Sequence, residues 1–276
     1  MKKIVILYHS DCSDGFGAAW AAWRKFGVRA DYLAVKHQEP PPKGLRGKKI
    51  YQLDFTYFGL ELKRLLKNNR VTTIDHHISV KGEIKSVHDY IFDNRHSGAV
   101  LAWNFFHPGK DVPKLLSYVE DRDLWKFKLP GSRAMTLIVD LLDYDFLAWN
   151  KIAADLEKPQ IRKKYIHEGN TILKYQNNSV AKLMNKTDIA IFEGRRIWVV
   201  NSPGLKSEIG NKLVQKRFPV ALIWHRQGSN IYVSLRSDGS IDVSKLAKHY
   251  GGGGHKASAG FTYPAKLKLP WKYLSK

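Results

Sequence analysis

The sequence predicts an α/β protein of two domains: an N-terminal parallel sheet flanked by helices, then a smaller mixed sheet with helices. Over the first 130 residues or so, short apolar runs of strand length alternate with segments of helix length, the pattern of strand–helix–strand units. The length of 276 residues suits two domains of roughly 100–200 residues each. After a long helical stretch, a second series of β-branched and aromatic runs begins near residue 187.

The first strand is KIVILYH (3–9), and GAAWAAWRKFG (17–27) follows as a helix with apolar residues at helical spacing, closed by Gly27. RADYLAV (29–35) reads as a strand, the Pro-rich EPPPKG as a turn and KIYQLDF (49–55) as the next strand. FGLELKRLLKNN (58–69) is a helix and VTTID (71–75) a buried strand. SGAVLAWNFF (97–106) is a helix with Ser97 as its N-cap, and VPKLLSYVEDRDLW (112–125) another. Residues 129–186 read as mostly helical and carry no candidate site. Then RRIWVVN (195–201) and VALIWHR (220–226) read as strands around a helix, SEIGNKLVQKR (207–217), and NIYVSLRS (230–237) alternates as a strand. IDVSKLAKHYG is a helix opened by Asp242 and closed by Gly251. These elements divide the chain at 1–130, 131–186 and 187–276.

Composition narrows the function classes. No apolar run reaches the roughly 20 residues that cross a bilayer, and the N-terminal MKKIVILY lacks a signal peptide's length and cleavage site, so a cytoplasmic location without membrane contact is expected. Cys12 is the single cysteine, which excludes an internal disulfide framework and fits a reducing compartment. The 46 Lys+Arg against 25 Asp+Glu give a formal charge of +21, which favours an anionic partner, although a well-solvated basic surface would read the same. Aromatic residues interleave with the basic ones and could stack on bases, but Trp20, Trp23 and Trp103 lie on apolar helix faces and are expected in the core.

In parallel sheets, ligands sit outside the carboxyl ends of the strands. Here the first strand runs into His9, Asp11 and Asp14, the third ends at Asp54, and the fourth ends at Asp75, His76 and His77. One carboxylate at a strand end usually caps the next helix. Several on one edge repel each other unless a cation neutralises them, so the repetition points to a divalent metal site. Asp121 and Asp123, in EDRD at a helix end, would read alone as a solvated charge cluster.

Together these residues resemble the DHH phosphoesterase superfamily. YHSDCSDGFGAAWAAW is similar to its first motif, Asp54 to its second, DHH at 75–77 to its third and YVEDRDLW to its fourth. RSDGSIDVSKLAKHYGGGGHKASAGF (236–261) resembles the signature of the C-terminal domain that accompanies DHH domains in one subfamily. DHH alone, or a glycine run alone, would be weak; the ordered set spans nearly the whole chain. The resemblance implies residues 1–130 as a catalytic core, 131–186 as its helical part and linker, and 187–276 as a substrate-binding domain, with the active site in the cleft between the two domains.

The resemblance also implies two Mn²⁺ ions, with Mg²⁺ possible. Their ligands would be His9, Asp14, Asp54 and Asp121, with Asp54 bridging, and matching the apolar residues that follow favours Asp121 over Asp123. In the DHH triplet, one histidine would bind metal and the other face the phosphate, with Asp75 orienting an imidazole; His76 joins the metal set, and Asp75, His76 and His77 form the catalytic group. The first motif departs from the family pattern, because aligning on Asp14-Gly15 puts Cys12 where the first of two aspartates would stand. Either Asp11 takes that role or one site is thinner; Cys12 is a thiolate ligand or a structural buried cysteine. At the other end, Arg236, Gly252, Gly253, Gly254 and His255 would grip a substrate phosphate, the glycines bringing backbone close to the anion.

The expected function is hydrolysis of phosphoester bonds in short RNA, DNA, or linear or cyclic dinucleotides, by a phosphodiesterase or an exonuclease of either polarity. A phosphomonoesterase or exopolyphosphatase of the same superfamily is the alternative. A catalytically silent nucleic-acid-binding protein is the reading from another class, and the intact motifs argue against it.

Overall fold

The computed structural model describes residues 1–36 and 39–274; residues 275 and 276 of the C-terminal segment lie outside it. The chain divides into two units, Met1–Leu173 and Lys174–Lys276.

In the first unit, β1 (Ile4–His9), β2 (Ala30–Val35), β3 (Lys49–Leu53), β4 (Arg70–Asp75) and β5 (Asp89–Phe92) form one sheet in the order β2-β1-β3-β4-β5. Every pairing is parallel. A parallel sheet needs both faces covered, and the side-chain alternation of β1 shows how this is done. Ile6 packs with α1 (Ser13–Phe26), α3 (Gly98–Phe106), α4 (Lys114–Asp123), α5 (Ser132–Asp140) and α6 (Phe146–Leu156) in the larger core. Val5 and Leu7 point to the opposite face, where Leu62 and Leu65 of α2 (Gly59–Asn68) close the smaller one. Three residues apart on a helix, those leucines share one stripe, and truncating either would cost about 2–5 kcal/mol. Trp20 and Trp103 are buried and stack with ring centroids 5.6 Å apart, so they belong to the core as expected.

Two local differences from the expected elements matter. The first helix begins at Ser13 rather than residue 17, because Cys12 caps it, its Sγ accepting the Gly15 N–H at 3.2 Å. The short edge strand β5, DYIF, has no counterpart among the expected elements; its four residues are exposed or only half-buried, so no apolar period marks it.

The boundary between the units falls within α7 (Pro159–Met184). The second unit is a seven-stranded sheet ordered β10-β11-β9-β8-β7-β6-β12. Its strands are β6 (Asp188–Phe192), β7 (Arg195–Asn201), β8 (Val220–Gln227), β9 (Asn230–Ser237), β10 (Gly253–His255), β11 (Ser258–Pro264) and β12 (Trp271–Tyr273). Only β7 and β8 run parallel, joined through α8 (Lys206–Val214), while the other pairings are antiparallel. Ile209 and Leu213 of α8 pack on one face with Val200 and Ile223. Val243, Leu246 and Ala247 of α9 (Val243–Lys248) cover the other, and Asp242 caps α9 by accepting the Ser244 N–H. Among the described residues no helix is long and apolar enough to cross a membrane.

Candidate metal centre

In the order β2-β1-β3-β4-β5 the chain reverses direction of winding between β1 and β3, which opens a crevice at the carboxyl ends of those strands. His9 ends β1, Asp54 follows β3 directly, and Asp75 ends β4. Asp54 has φ +54°, a left-handed conformation that aspartate tolerates better than most residues and that recurs at functional sites. Its amide still donates to the Ile74 carbonyl at 2.9 Å, so the turn is pinned to β4.

The Asp54 carboxylate lies between two groups of donor atoms. Oδ2 is 3.6 Å from His9 Nδ1 and 3.6 Å from Cys12 Sγ, which themselves are 3.4 Å apart. Oδ1 is 3.2 Å from His76 Nε2. The same His76 nitrogen is 3.7 Å from Asp14 Oδ2 and 3.6 Å from Asp123 Oδ2. The donors therefore form two triads, His9–Cys12–Asp54 and Asp14–His76–Asp123, each compact enough to close on one ion.

Three glycine and helix-end features create this geometry. Gly15 brings α1 against the end of β1 so closely that a Cβ there would lie 2.1 Å from the His9 carbonyl oxygen. Gly98 does the same for α3, where a Cβ would lie 2.5 Å from that of Asp54. The N-terminus of α3, capped by Ser97, then holds Asp14: Gly98 N–H donates to Oδ2 at 2.7 Å and Ala99 N–H to Oδ1 at 3.0 Å. An anion at a helix N-terminus is favoured by the unpaired amides and the helix dipole.

Asp75 is the organiser of the DHH triplet. Its Oδ1 accepts the His76 N–H at 2.7 Å and the His77 N–H at 3.0 Å, and lies 2.8 Å from His77 Nδ1, while Oδ2 accepts the Thr56 hydroxyl at 2.6 Å. The two imidazoles thus separate: His76 faces the three carboxylates and His77 is oriented by Asp75.

The electrostatics show what this cluster demands. Burial and the neighbouring Asp54 and Asp123 charges push Asp14 well above the usual carboxylate range. Burial also opposes ionisation of Asp54, but hydrogen bonds from His76 and His9 outweigh it and hold that carboxylate well below its ordinary value. Burial disfavours the charged forms of both histidines; even so, Asp54 pushes His76 up to about 10, and Asp75 pushes His77 up to about 9. Without a cation, protons would have to offset the crowded carboxylates. A divalent cation would do so with stronger, directional bonds, and imidazole plus hard carboxylate oxygens form a donor set that fits one.

Not every expected site residue lies here. Asp11, with its side chain 72% exposed, pairs with Lys36 at 3.0 Å and stands outside both triads, one of which holds Cys12. The helix-end aspartates are likewise placed differently from the expectation. Asp121 turns its carboxylate to the next loop, accepting the N–H groups of Lys128 at 2.9 Å and Leu129 at 3.0 Å, and Asp123 is the one beside His76. Residues two apart on a helix face different directions, so only one of the pair could reach the sheet.

In the second unit, Arg236 is mostly buried, donates to the Leu235 carbonyl at 2.9 Å and the Ser207 hydroxyl at 2.8 Å, and is held down to about 10 by desolvation. Both hydrogen-bond partners are neutral, and the Glu208 carboxylate opposes part of the desolvation. Lys206 nearby is lowered by its own burial and by Arg236. The glycines have a simpler origin than anion contact. Gly253, Gly254 and His255 form β10, paired with β11. A Cβ at Gly252 would lie 2.1 Å from the Gly260 carbonyl oxygen, and Gly254 has φ +136° with the Ser258 carbonyl oxygen 2.5 Å from where its Cβ would be. Close approach to β11 therefore explains two of the three.

Comparison with known proteins agrees with this reading of the fold. The DHHA1 domain family matches residues 200–270. An uncharacterized protein, R106, of Acanthamoeba polyphaga mimivirus is 31% identical over 287 residues, covering 94% of this chain and 67% of that relative. Among solved structures, the DHH domain of a member of a ribosomal protein family matches at TM-score 0.54 and 14% identity, covering 99% of this chain and 83% of that one. An exopolyphosphatase-related protein from Bacteroides fragilis matches at TM-score 0.51 and 13% identity, covering 97% and 88%. A pGpG-specific phosphodiesterase from Vibrio cholerae matches at 0.50 and 12%, covering 95% and 94%. These likenesses show the fold, and the donor cluster at its strand ends is a candidate metal centre. Residues 200–270 match the DHHA1 domain family, the chain is of one family with R106, and it shares its fold with a DHH-domain protein.

Proposed function

We propose that the protein is a two-metal phosphodiesterase acting on short oligonucleotides or dinucleotides, with His9, Cys12, Asp14, Asp54, His76 and Asp123 as the metal-holding residues. The observation that supports this most is Asp54, whose two oxygens face two separate donor triads, the arrangement of a bridging carboxylate. Divalent cations bound there would neutralise phosphoryl oxygens and lower the pKa of a water molecule; Mn²⁺ or Mg²⁺ suits the oxygen-rich triad.

The chain's own residues supply the rest. Asp14 is held for its role by the α3 amides before any substrate arrives, so no reorganisation is needed at reaction. Asp75 fixes the ring of His77 through Nδ1 and favours its protonated form, in which Nε2–H can donate to a phosphoryl oxygen. In the second unit, Arg236, with Lys206 and Ser207 beside it, is the anion contact, and His255 joins the substrate-binding set. The basic balance of that part of the chain, 15 Lys/Arg against 5 Asp/Glu from Thr187 onward, favours a polyanionic substrate over inorganic phosphate.

The test is hydrolysis of a 5′-phosphorylated diribonucleotide, a longer single-stranded RNA and a long polyphosphate, each with Mn²⁺ and with EDTA. Metal-dependent release of mononucleotides supports the proposal, and the preferred length places the enzyme among dinucleotide or processive enzymes. Turnover of polyphosphate alone would replace it with the exopolyphosphatase reading.

A further inference from the structure

We propose that Cys12 is a thiolate ligand of the metal bound with His9 and Asp54, and that it makes this one of the two metal positions selective for thiophilic ions. The proposal rests on reading the cluster as a metal centre and adds which ion each half prefers.

Two observations argue against a purely structural cysteine. Sγ faces two donors at once, His9 Nδ1 at 3.4 Å and Asp54 Oδ2 at 3.6 Å, and all three atoms lie close enough for a single ion to join them. A half-buried thiol gains little from either neighbour, because sulfur is a weak donor and a weak acceptor. Its other contact is the cap of α1, yet serine, threonine, aspartate and asparagine cap helices better than a residue with a sulfur acceptor. Capping alone would have no reason to prefer sulfur. A soft cation would.

The asymmetry between the triads sharpens this. Asp14–His76–Asp123 offers two carboxylates and one imidazole, a set suited to Mn²⁺ or Mg²⁺. His9–Cys12–Asp54 offers sulfur, nitrogen and a shared carboxylate, a set that favours Zn²⁺ or Cd²⁺. Binding there is a simple exchange: the metal–sulfur bond forms, the S–H bond breaks, and the proton leaves to solvent.

Because Cys12 is the only cysteine, any sulfur-to-metal charge-transfer band reports this residue alone. The full-length protein, stripped with EDTA and kept reduced with a phosphine, is titrated with Cd²⁺ while ultraviolet absorption and heat are recorded. A cadmium–thiolate band that saturates at one ion per chain is expected in the wild type. It should be absent in Cys12→Ser and Cys12→Asp. The Asp variant, which restores an oxygen ligand, should lower the preference for Cd²⁺ over Mn²⁺ by roughly tenfold or more. Cadmium binding in the wild type without a thiolate band would overturn the role of Cys12 and leave the metal centre standing. Heat-silent titrations with both Cd²⁺ and Mn²⁺ would overturn the metal centre and this proposal together.

Discussion

Gly98 and Asp54 meet so closely that the first atom of any side chain on Gly98 would sit 2.5 Å from the Asp54 Cβ and 2.7 Å from Oδ1. The helix that binds Asp14 through its N-terminal amides therefore also walls in the Asp54 carboxylate, which lies between the two triads. Gly98→Ala should shift one or the other. The expected result is a loss of about 1–3 kcal/mol in stability from overpacking, with Mn²⁺ affinity falling as well. Urea unfolding and calorimetric titration of one preparation check both; unchanged metal affinity would show that α3 gives way and Asp54 does not.

Asp121 and Asp123 should separate stability from metal binding. Asp121→Asn leaves one loop amide facing a donor in place of an acceptor, so about 1–3 kcal/mol of stability should go while metal affinity holds. Asp123→Asn should do the reverse, weakening the ion held by Asp14 and His76 with little change in melting temperature. Equal metal affinity in Asp123→Asn and the wild type would remove Asp123 from the proposed ligand set.

This pair also marks where sequence reading stops. The parallel sheet was legible because β1 is an apolar run and β3 and β4 are short runs rich in β-branched and aromatic residues, and the acids and imidazoles at their ends share an edge by topology alone. Which of two aspartates at a helix end turns inward depends on the rotation of α4 against the sheet, and that is set by packing of Leu115, Leu116 and Val119. Cys12 as a helix cap was equally hidden, since sulfur is a rare capping acceptor and the apolar helical period starts a turn later. The glycine run was visible, but whether glycine serves an anion or a neighbouring strand depends on Gly260 and Ser258, which only the folded sheet brings alongside.

His107 gives a pH prediction away from the metal centre. Its ring is buried, its Nε2–H donates to the Ala21 carbonyl at 2.9 Å, and it stacks on Trp103 at 4.2 Å. Burial pushes its pKa below the ordinary 6.5. The unfolded chain therefore takes up a proton that the folded chain resists as pH falls through about 6.5. This contribution to stability is complete above that value and is lost on acidification below it. His107→Gln, which can still donate to Ala21, should show a smaller drop in melting temperature between neutral pH and pH ~5 than the wild type. Parallel pH profiles for the two proteins would exclude His107 as a source of the acid sensitivity.

Asp75 and Thr56 test whether the DHH triplet works as a unit. Asp75 Oδ1 holds both histidine amides and the His77 ring, and the Thr56 hydroxyl fixes Oδ2 at 2.6 Å. Asp75→Asn should either place an NH₂ against those donors or turn it to the Thr56 hydroxyl, which can accept it; in both cases the His77 ring loses the carboxylate charge that holds it. A supporting residue of this kind typically accounts for roughly 10–100-fold in metal affinity or turnover, and Asp75→Asn should lie at the upper end because Asp75 holds both histidine amides as well as the His77 ring. Thr56→Val removes one bond and keeps the carboxylate, so its effect should be near the lower end. If His77 acts on the substrate and His76 on the metal, the two effects should divide: His77→Gln should lower kcat with metal affinity kept, whereas His76→Gln should lower metal affinity first. Steady-state kinetics at saturating Mn²⁺, beside calorimetric titration of each variant, would show the division, and identical profiles for both histidine variants would contradict it.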